Sequence, residues 1–192
     1  MAAKMRYSDE EITTLTVWKK SLMFNCKGFT VYDSKGNLAF RVDNYASTHL
    51  DEILLMDCTG KALLTLHRKK VLMSFSQANW KVFNGNDRDS SEKNPLFAVV
   101  KKKRLFFQSK VFAHVTRYGG EERDWEYSVE GSFGGRCWSV YDRMRRTVAE
   151  MKKKKEKVAG VSFGDDVYTL VVNQEAIQTE IAMAVAILLD QT

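Results

Sequence analysis

Short apolar and β-branched runs alternate with polar turns along almost the whole chain. The pattern predicts twelve strands, at 14–18, 29–33, 38–42, 53–56, 62–67, 80–83, 96–100, 105–116, 125–129, 137–141, 147–151 and 167–172. Turn residues separate these runs about every 8–12 positions, which is typical of an all-β sandwich or barrel. The pattern therefore indicates a mainly β fold.

The last segment breaks this pattern and predicts an α-helix at about 176–189. An uninterrupted apolar run extends from Ile181 to Leu189, and the segment contains no Lys or Arg. A bilayer span needs about 20 apolar residues, and an interfacial helix needs a basic face, so both are disfavoured. A helix that is apolar on every side must be enclosed. We therefore expect a closed antiparallel barrel of about twelve strands around a hydrophobic C-terminal helix.

Three segments repeat one hairpin pattern of apolar strand, aspartate, a few polar residues and apolar strand. The aspartates are Asp33, Asp57 and Asp142. An aspartate in a turn accepts hydrogen bonds from the backbone two residues on, and a following glycine accepts positive φ. The third copy has Arg145 where the others have glycine, so we expect it to turn differently.

Charge is unevenly distributed along the 192 residues, although the net charge is only +6. Residues 101–157 contain 16 Lys and Arg against eight Asp and Glu, whereas residues 158–192 contain five acids and no base. A modest excess of this kind permits contact with anionic lipid or nucleic acid, although it is also typical of a solvated surface.

Three basic runs follow predicted strands and are the candidate site for a lipid or another anion. They are Arg68, Lys69 and Lys70; Lys101, Lys102, Lys103 and Arg104; and Lys152, Lys153, Lys154 and Lys155. At strand ends, long cationic side chains can converge on a phosphorylated head group or an anionic membrane surface. Alternation sends successive lysines to opposite faces of a strand, so the same runs can instead be spread over a solvated surface.

Catalytic and metal chemistry have no clear signature in the sequence. The histidines and cysteines are scattered, with no CxxC pair: His49, His67 and His114, and Cys26, Cys58 and Cys137. Free thiols and the lack of an apolar signal segment at the N-terminus indicate an intracellular protein. We predict no catalytic residue, no metal site and no cofactor.

Several segments resemble the LURP-one-related family of plant proteins. They start at Leu15, Gly28, Leu54, Val129, Gly164 and Ala182, the last being Ala-Met-Ala-Val-Ala-Ile-Leu-Leu-Asp. The resemblance runs from about residue 15 to the end. It implies the fold shared by the tubby C-terminal domain and the phospholipid scramblases, an association with plant defence, and phosphoinositide binding or membrane tethering.

The sequence therefore predicts a short lead-in at 1–13 and one domain at 14–192. We expect a non-enzymatic, monomeric interaction module, cytoplasmic and peripheral at the plasma membrane or nuclear, that binds phosphoinositide or an anionic membrane surface. Two alternatives stay open: a nucleic-acid-associated or membrane-released transcriptional regulator, and a protein scaffold without a lipid ligand. Nucleic acid is disfavoured, because Phe106 and Phe107 beside the central basic run make only a weak stacking platform.

Overall fold

A computed structural model describes residues 12–22, 27–44, 52–68, 79–85, 94–101, 111–119, 124–132, 137–154, 157–158, 161–162, 164 and 166–190. These residues form β1 (Ile12–Trp18), β2 (Lys27–Tyr32), β3 (Leu38–Asn44), β4 (Glu52–Asp57), β5 (Ala62–Arg68), β6 (Asn79–Asn84), β7 (Phe97–Lys101), β8 (Val111–Arg117), β9 (Trp125–Ser132), β10 (Cys137–Asp142), β11 (Thr147–Lys153), β12 (Lys157–Val158), β13 (Val161–Ser162), β14 (Val167–Asn173) and α1 (Thr179–Asp190).

Twelve strands close into one antiparallel barrel in the order β1, β14, β11, β10, β9, β8, β7, β6, β5, β4, β3, β2. The short strands β12 and β13 pair with each other, between β11 and β14 in the chain. The predicted closed barrel around a C-terminal helix is confirmed. Each of the twelve predicted strands has its counterpart, although residues 105–110 of the predicted eighth strand lie outside the described residues.

The interior of the barrel is packed around α1. Alternate residues of each strand, such as Leu15 and Val17 in β1, belong to one hydrophobic cluster with the helix. Every helix residue from Ala182 to Leu189 is buried in that cluster. Burial of apolar surface contributes about 25 cal/mol per Å², so this shared interior is the main source of stability.

The helix begins at Thr179, later than the sequence predicts, because the backbone first turns after β14. The backbone N–H groups of Ala176 and Ile177 both donate to the Asn173 carbonyl oxygen, at 3.1 and 3.0 Å. The Tyr127 hydroxyl donates to the Ala176 carbonyl oxygen at 2.8 Å. These bonds hold the chain at the end of the barrel where it re-enters as α1.

The expectation of a different turn at Arg145 is wrong. Arg145 has a φ of 64°, close to the 83° of Gly36 and the 89° of Gly60. Its N–H donates to the Asp142 carbonyl oxygen at 3.0 Å, as the glycines do in the other two hairpins. Its guanidinium binds both carboxylate oxygens of Glu130, at 2.5 and 3.2 Å. Side-chain contacts thus hold a left-handed conformation that costs a non-glycine residue about 1–2 kcal/mol.

Substitutions at Arg145 separate the backbone cost from the side-chain contact. We expect Arg145→Ala to lower the free energy of unfolding, because it keeps the left-handed cost and loses the ion pair with Glu130. Arg145→Gly should be less destabilising, because glycine removes that cost. Urea denaturation measures both changes.

Arg117 offers a matched control, since it also binds a carboxylate through two nitrogens, that of Glu126 at 2.9 and 3.2 Å, but within a strand. At Arg117, we expect substitution by glycine to lower the free energy of unfolding more than substitution by alanine. If alanine and glycine ranked in the same order of stability at Arg117 and at Arg145, the role of the left-handed turn would be contradicted.

A charge placed in the centre of α1 tests whether the helix is required for the fold. Ala184 is fully buried, so we expect Ala184→Asp to destabilise the domain by several kcal/mol, comparable with a total stability of about 5–15 kcal/mol. Gln178→Asp, at an exposed position just before the helix, is the control. Circular dichroism and thermal unfolding measure the result, and a folded Ala184→Asp protein would contradict the central role of the helix.

Candidate functional site

The direction of the strands brings one described residue at the strand end of each basic run to the same end of the barrel. Because neighbouring strands are antiparallel, β1, β5, β7 and β11 all end at the same end. Arg68 ends β5, Lys101 ends β7 and Lys153 ends β11. The helix also ends here, since Lys19 Nζ, just after β1, lies 2.8 Å from Asp190 Oδ1.

The register of each strand then decides which cations face the interior. Each of these three cations lies two residues after a buried core residue of its strand, on the same inward register. The pairs are Leu66 and Arg68, Val99 and Lys101, and Met151 and Lys153. Successive inward positions share one face of a strand. Lys19 follows the inward-facing Val17 in the same way, and we call these four cations at one end of the barrel the basic mouth.

The alternate residues of the last basic run face outward. Lys152 is exposed and lies 2.7 Å from Glu150 Oε2. Lys154 donates to Thr16 Oγ1 at 3.1 Å, on the outer face of β1. The structure therefore places Arg68, Lys101 and Lys153 on the inward register at one end of the barrel, and Lys152 and Lys154 on the outward register. The other predicted site residues lie outside the described residues: Lys69, Lys70, Lys102, Lys103, Arg104 and Lys155.

Lys101 carries the clearest electrostatic signature of the mouth. Burial, together with the smaller effect of the nearby Arg68 charge, lowers the pKa of its ammonium group to about 8, while Asp190 acts in the opposite direction. Desolvation and like charge both disfavour the protonated form. Because the local negative charge does not compensate these effects, an anion from outside would stabilise the protonated form of Lys101.

Asp190 is the carboxylate that faces the basic mouth. It ends α1, where the helix dipole is negative and carboxylates are disfavoured. Other described carboxylates near this end have different partners: Asp43 accepts a hydrogen bond from Arg41 Nε at 2.8 Å, and Asp166 accepts one from Trp18 Nε1 at 2.7 Å. Sequence reasoning missed Asp190, although it is the first charged residue after the apolar run.

Lys19 was also missed by the sequence analysis, which considered only longer basic runs. It forms part of a Lys-Lys pair that directly follows Trp18 at the end of a strand, and this is the signal that the other runs share. A search for any cation directly after an apolar strand would have included it.

The histidines suggest no competing site. His67 lies on the outer face, with Nε2 at 3.9 Å from Glu52 Oε2, and His114 packs against Trp125 with ring centroids 5.1 Å apart. His49 lies outside the described residues. Within the described part of the chain, no group of three or more His, Cys, Asp or Glu is arranged to hold a metal ion. Nor is any helix there long and apolar enough to cross a membrane.

The pH dependence of stability tests the desolvation of Lys101. Between pH 8 and pH 10.5, the folded chain loses the Lys101 proton while the unfolded chain, with the ordinary pKa, keeps it. Since the unfolded state then binds more protons, the free energy of unfolding rises with pH. We expect the wild-type value minus that of Lys101→Met to rise across this window in urea titrations.

Lys61→Met, at an exposed hairpin position, controls for the loss of a lysine. A wild-type-minus-Lys101→Met difference that stays level or falls between pH 8 and pH 10.5 would contradict the burial of Lys101 as a cation.

Comparisons with known proteins identify the family. The model of the LURP-one-related family matches residues 13–190. Protein LURP-one-related 8 of Arabidopsis thaliana is 41% identical, covering 92% of this chain and 85% of the relative. Protein LURP-one-related 17 of the same plant is 40% identical, covering 93% and 82%.

The fold has a solved counterpart as well. An X-ray structure of an Arabidopsis thaliana protein superposes with a TM-score of 0.65 at 20% identity, covering 93% of this chain and 90% of that one. This likeness shows the fold, and the relatives' names describe no enzymatic activity. The chain belongs to the LURP-one-related family and has its tubby-like barrel around a central helix.

Proposed function

We propose that this protein is a non-enzymatic intracellular module whose basic mouth binds the phosphate groups of anionic lipids, phosphoinositides above all, as part of plant defence signalling. In this proposal residues 14–192 act as one monomeric domain, held peripherally at the cytoplasmic face of a membrane. The observation that supports it is that Lys19, Arg68, Lys101 and Lys153 lie at the ends of four strands that finish at the same end of the barrel.

Binding would be electrostatic and would approach the end of the barrel. A cation close to an anionic membrane contributes about 1 kcal/mol. Lys101 is half-buried, so its attraction for a phosphate is less screened than that of an exposed lysine. Arg68 is exposed at the end of β5 and offers the planar, forked donor that matches phosphate oxygens.

The basic residues beyond these strand ends extend the proposal. Lys69 and Lys70 directly follow Arg68, the run from Lys102 to Arg104 directly follows Lys101, and Lys155 follows the last run. We include them as further contacts to the membrane surface. In this proposal the only contribution of helix α1 to the site is Asp190, at the C-terminal end of the helix beside Lys19.

The two alternatives lack a described feature that favours them. Phe106 and Phe107, the stacking platform required for nucleic acid, lie outside the described residues. A scaffold without a lipid ligand does not require inward-facing cations. Both alternatives are therefore treated as outcomes of the binding experiment.

Alternate lysines of the chain allow a matched test of the mouth. We expect wild-type protein to sediment with phosphatidylcholine vesicles that contain phosphatidylinositol 4,5-bisphosphate, and to do so less as salt rises. The triple variant Arg68→Gln, Lys101→Gln, Lys153→Gln should bind at least about tenfold more weakly, because three cations are lost. The double variant Lys152→Gln, Lys154→Gln, on the outward register, should change binding less than about threefold.

Two controls complete the experiment. Circular dichroism must show that both variants are folded, and pure phosphatidylcholine vesicles measure non-specific sedimentation. Absence of salt-sensitive binding by the wild type would overturn the proposal, and so would equal losses in the triple and double variants. A salt-dependent DNA mobility shift without lipid preference would favour the nucleic-acid alternative.

A further inference from the structure

On the basis of the proposed function of the mouth, we propose that Asp190 is an internal counter-anion that competes with the ligand's phosphate for Lys19 and Lys101. Asp190 would thereby set the affinity of the site and favour multiply charged head groups. It would act as a specificity-determining residue without itself contacting the ligand.

The contacts of Asp190 with the cations of the basic mouth support this role. Asp190 Oδ1 lies 2.8 Å from Lys19 Nζ, and the side chains retain 18% and 34% of their exposure. The pair is therefore reachable from solvent and can exchange partners. The Asp190 charge also acts on Lys101, favouring its protonated form. One carboxylate thus neutralises part of the charge of two mouth cations.

The position of Asp190 in the helix points the same way. A carboxylate in the last turn opposes the helix dipole, and α1 has no basic residue in that turn to offset it. Glu180, in the first turn of the same helix, is favoured by the dipole instead. Asp190 therefore depends for its stabilisation on the strand-end cations, which are the groups that a phosphate would use.

When a ligand phosphate replaces the Asp190 carboxylate beside Lys19, the net gain in binding energy depends on the charge of the ligand. A singly charged phosphodiester gains about as much from Lys19 as Asp190 loses, so its net gain is small. A phosphate monoester or a multiply phosphorylated head group carries more charge and keeps a surplus after the exchange. The mouth should therefore prefer phosphoinositides with added phosphates over lipids with a single negative charge.

The variant Asp190→Asn tests the competition, with Glu180→Gln as a control that removes the same charge from the other end of α1. The soluble probes are inositol 1,4,5-trisphosphate and the singly charged glycerophosphoinositol, titrated by calorimetry. We expect Asp190→Asn to bind inositol trisphosphate about threefold more tightly than wild type, the size of effect typical of a partly exposed ion pair. It should also bring glycerophosphoinositol into the measurable range, while Glu180→Gln changes neither.

A second measurement requires no ligand. NMR of labelled lysine side chains should show a lower pKa for Lys101 in Asp190→Asn than in the wild type, because the stabilising carboxylate is gone. Thermal unfolding confirms that the variant is folded. An unchanged Lys101 pKa would overturn the role of Asp190 whatever the lipid result.

The outcomes separate this inference from the proposed function. If the wild type binds inositol trisphosphate and Asp190→Asn binds it no more tightly, only the competition is overturned. If no protein binds either probe, the proposed function falls and the competition falls with it. Tighter binding by Glu180→Gln to the same degree would also overturn the inference, because it would show an effect of total charge alone.

Discussion

The fold depends on the need to enclose a helix that is apolar on every side. The buried run from Ala182 to Leu189 presents no face that water could solvate, so the sheet must surround it completely. A closed barrel meets this need and leaves no unpaired strand edge. Since α1 and the inward side chains occupy the interior as one cluster, binding chemistry is directed to the outer face and the two ends of the barrel.

The helix also makes the two ends electrostatically different. The end where α1 begins carries the tight hairpins at Asp33, Asp57 and Asp142, whose carboxylates accept backbone hydrogen bonds. The end where α1 terminates has the negative pole of the dipole and Asp190. Lys19 pairs with Asp190 at this second end, and Asp190 also acts on Lys101, so part of the charge of the basic mouth offsets that of the helix end.

Much of this architecture follows from the sequence pattern, because strand alternation and an all-apolar helix are local signals. The alternation of side chains along a strand also predicts that neighbouring lysines lie on opposite faces, as Lys152 and Lys153 do. The position of Arg68, Lys101 and Lys153 at the same end of the barrel is different, because it depends on the number and direction of the strands between them. The turn at Arg145 was mispredicted because backbone preference was weighed without Glu130, which is distant in the chain and holds the side chain in place.

The number of cations on the inward register at this end is the feature on which the proposed binding site rests. Lys19 lies in direct contact with Asp190, and a single ion pair would satisfy that carboxylate. Solubility does not require lysines on the inward register. Nor does it explain why Lys101 is half-buried, with its pKa lowered to about 8. A cation held against its own desolvation lowers stability, and such sites occur where function offsets the cost. In the proposed function an anion from outside the protein would supply further negative charge, and a lipid phosphate would suit the donors of Arg68 and the lysines.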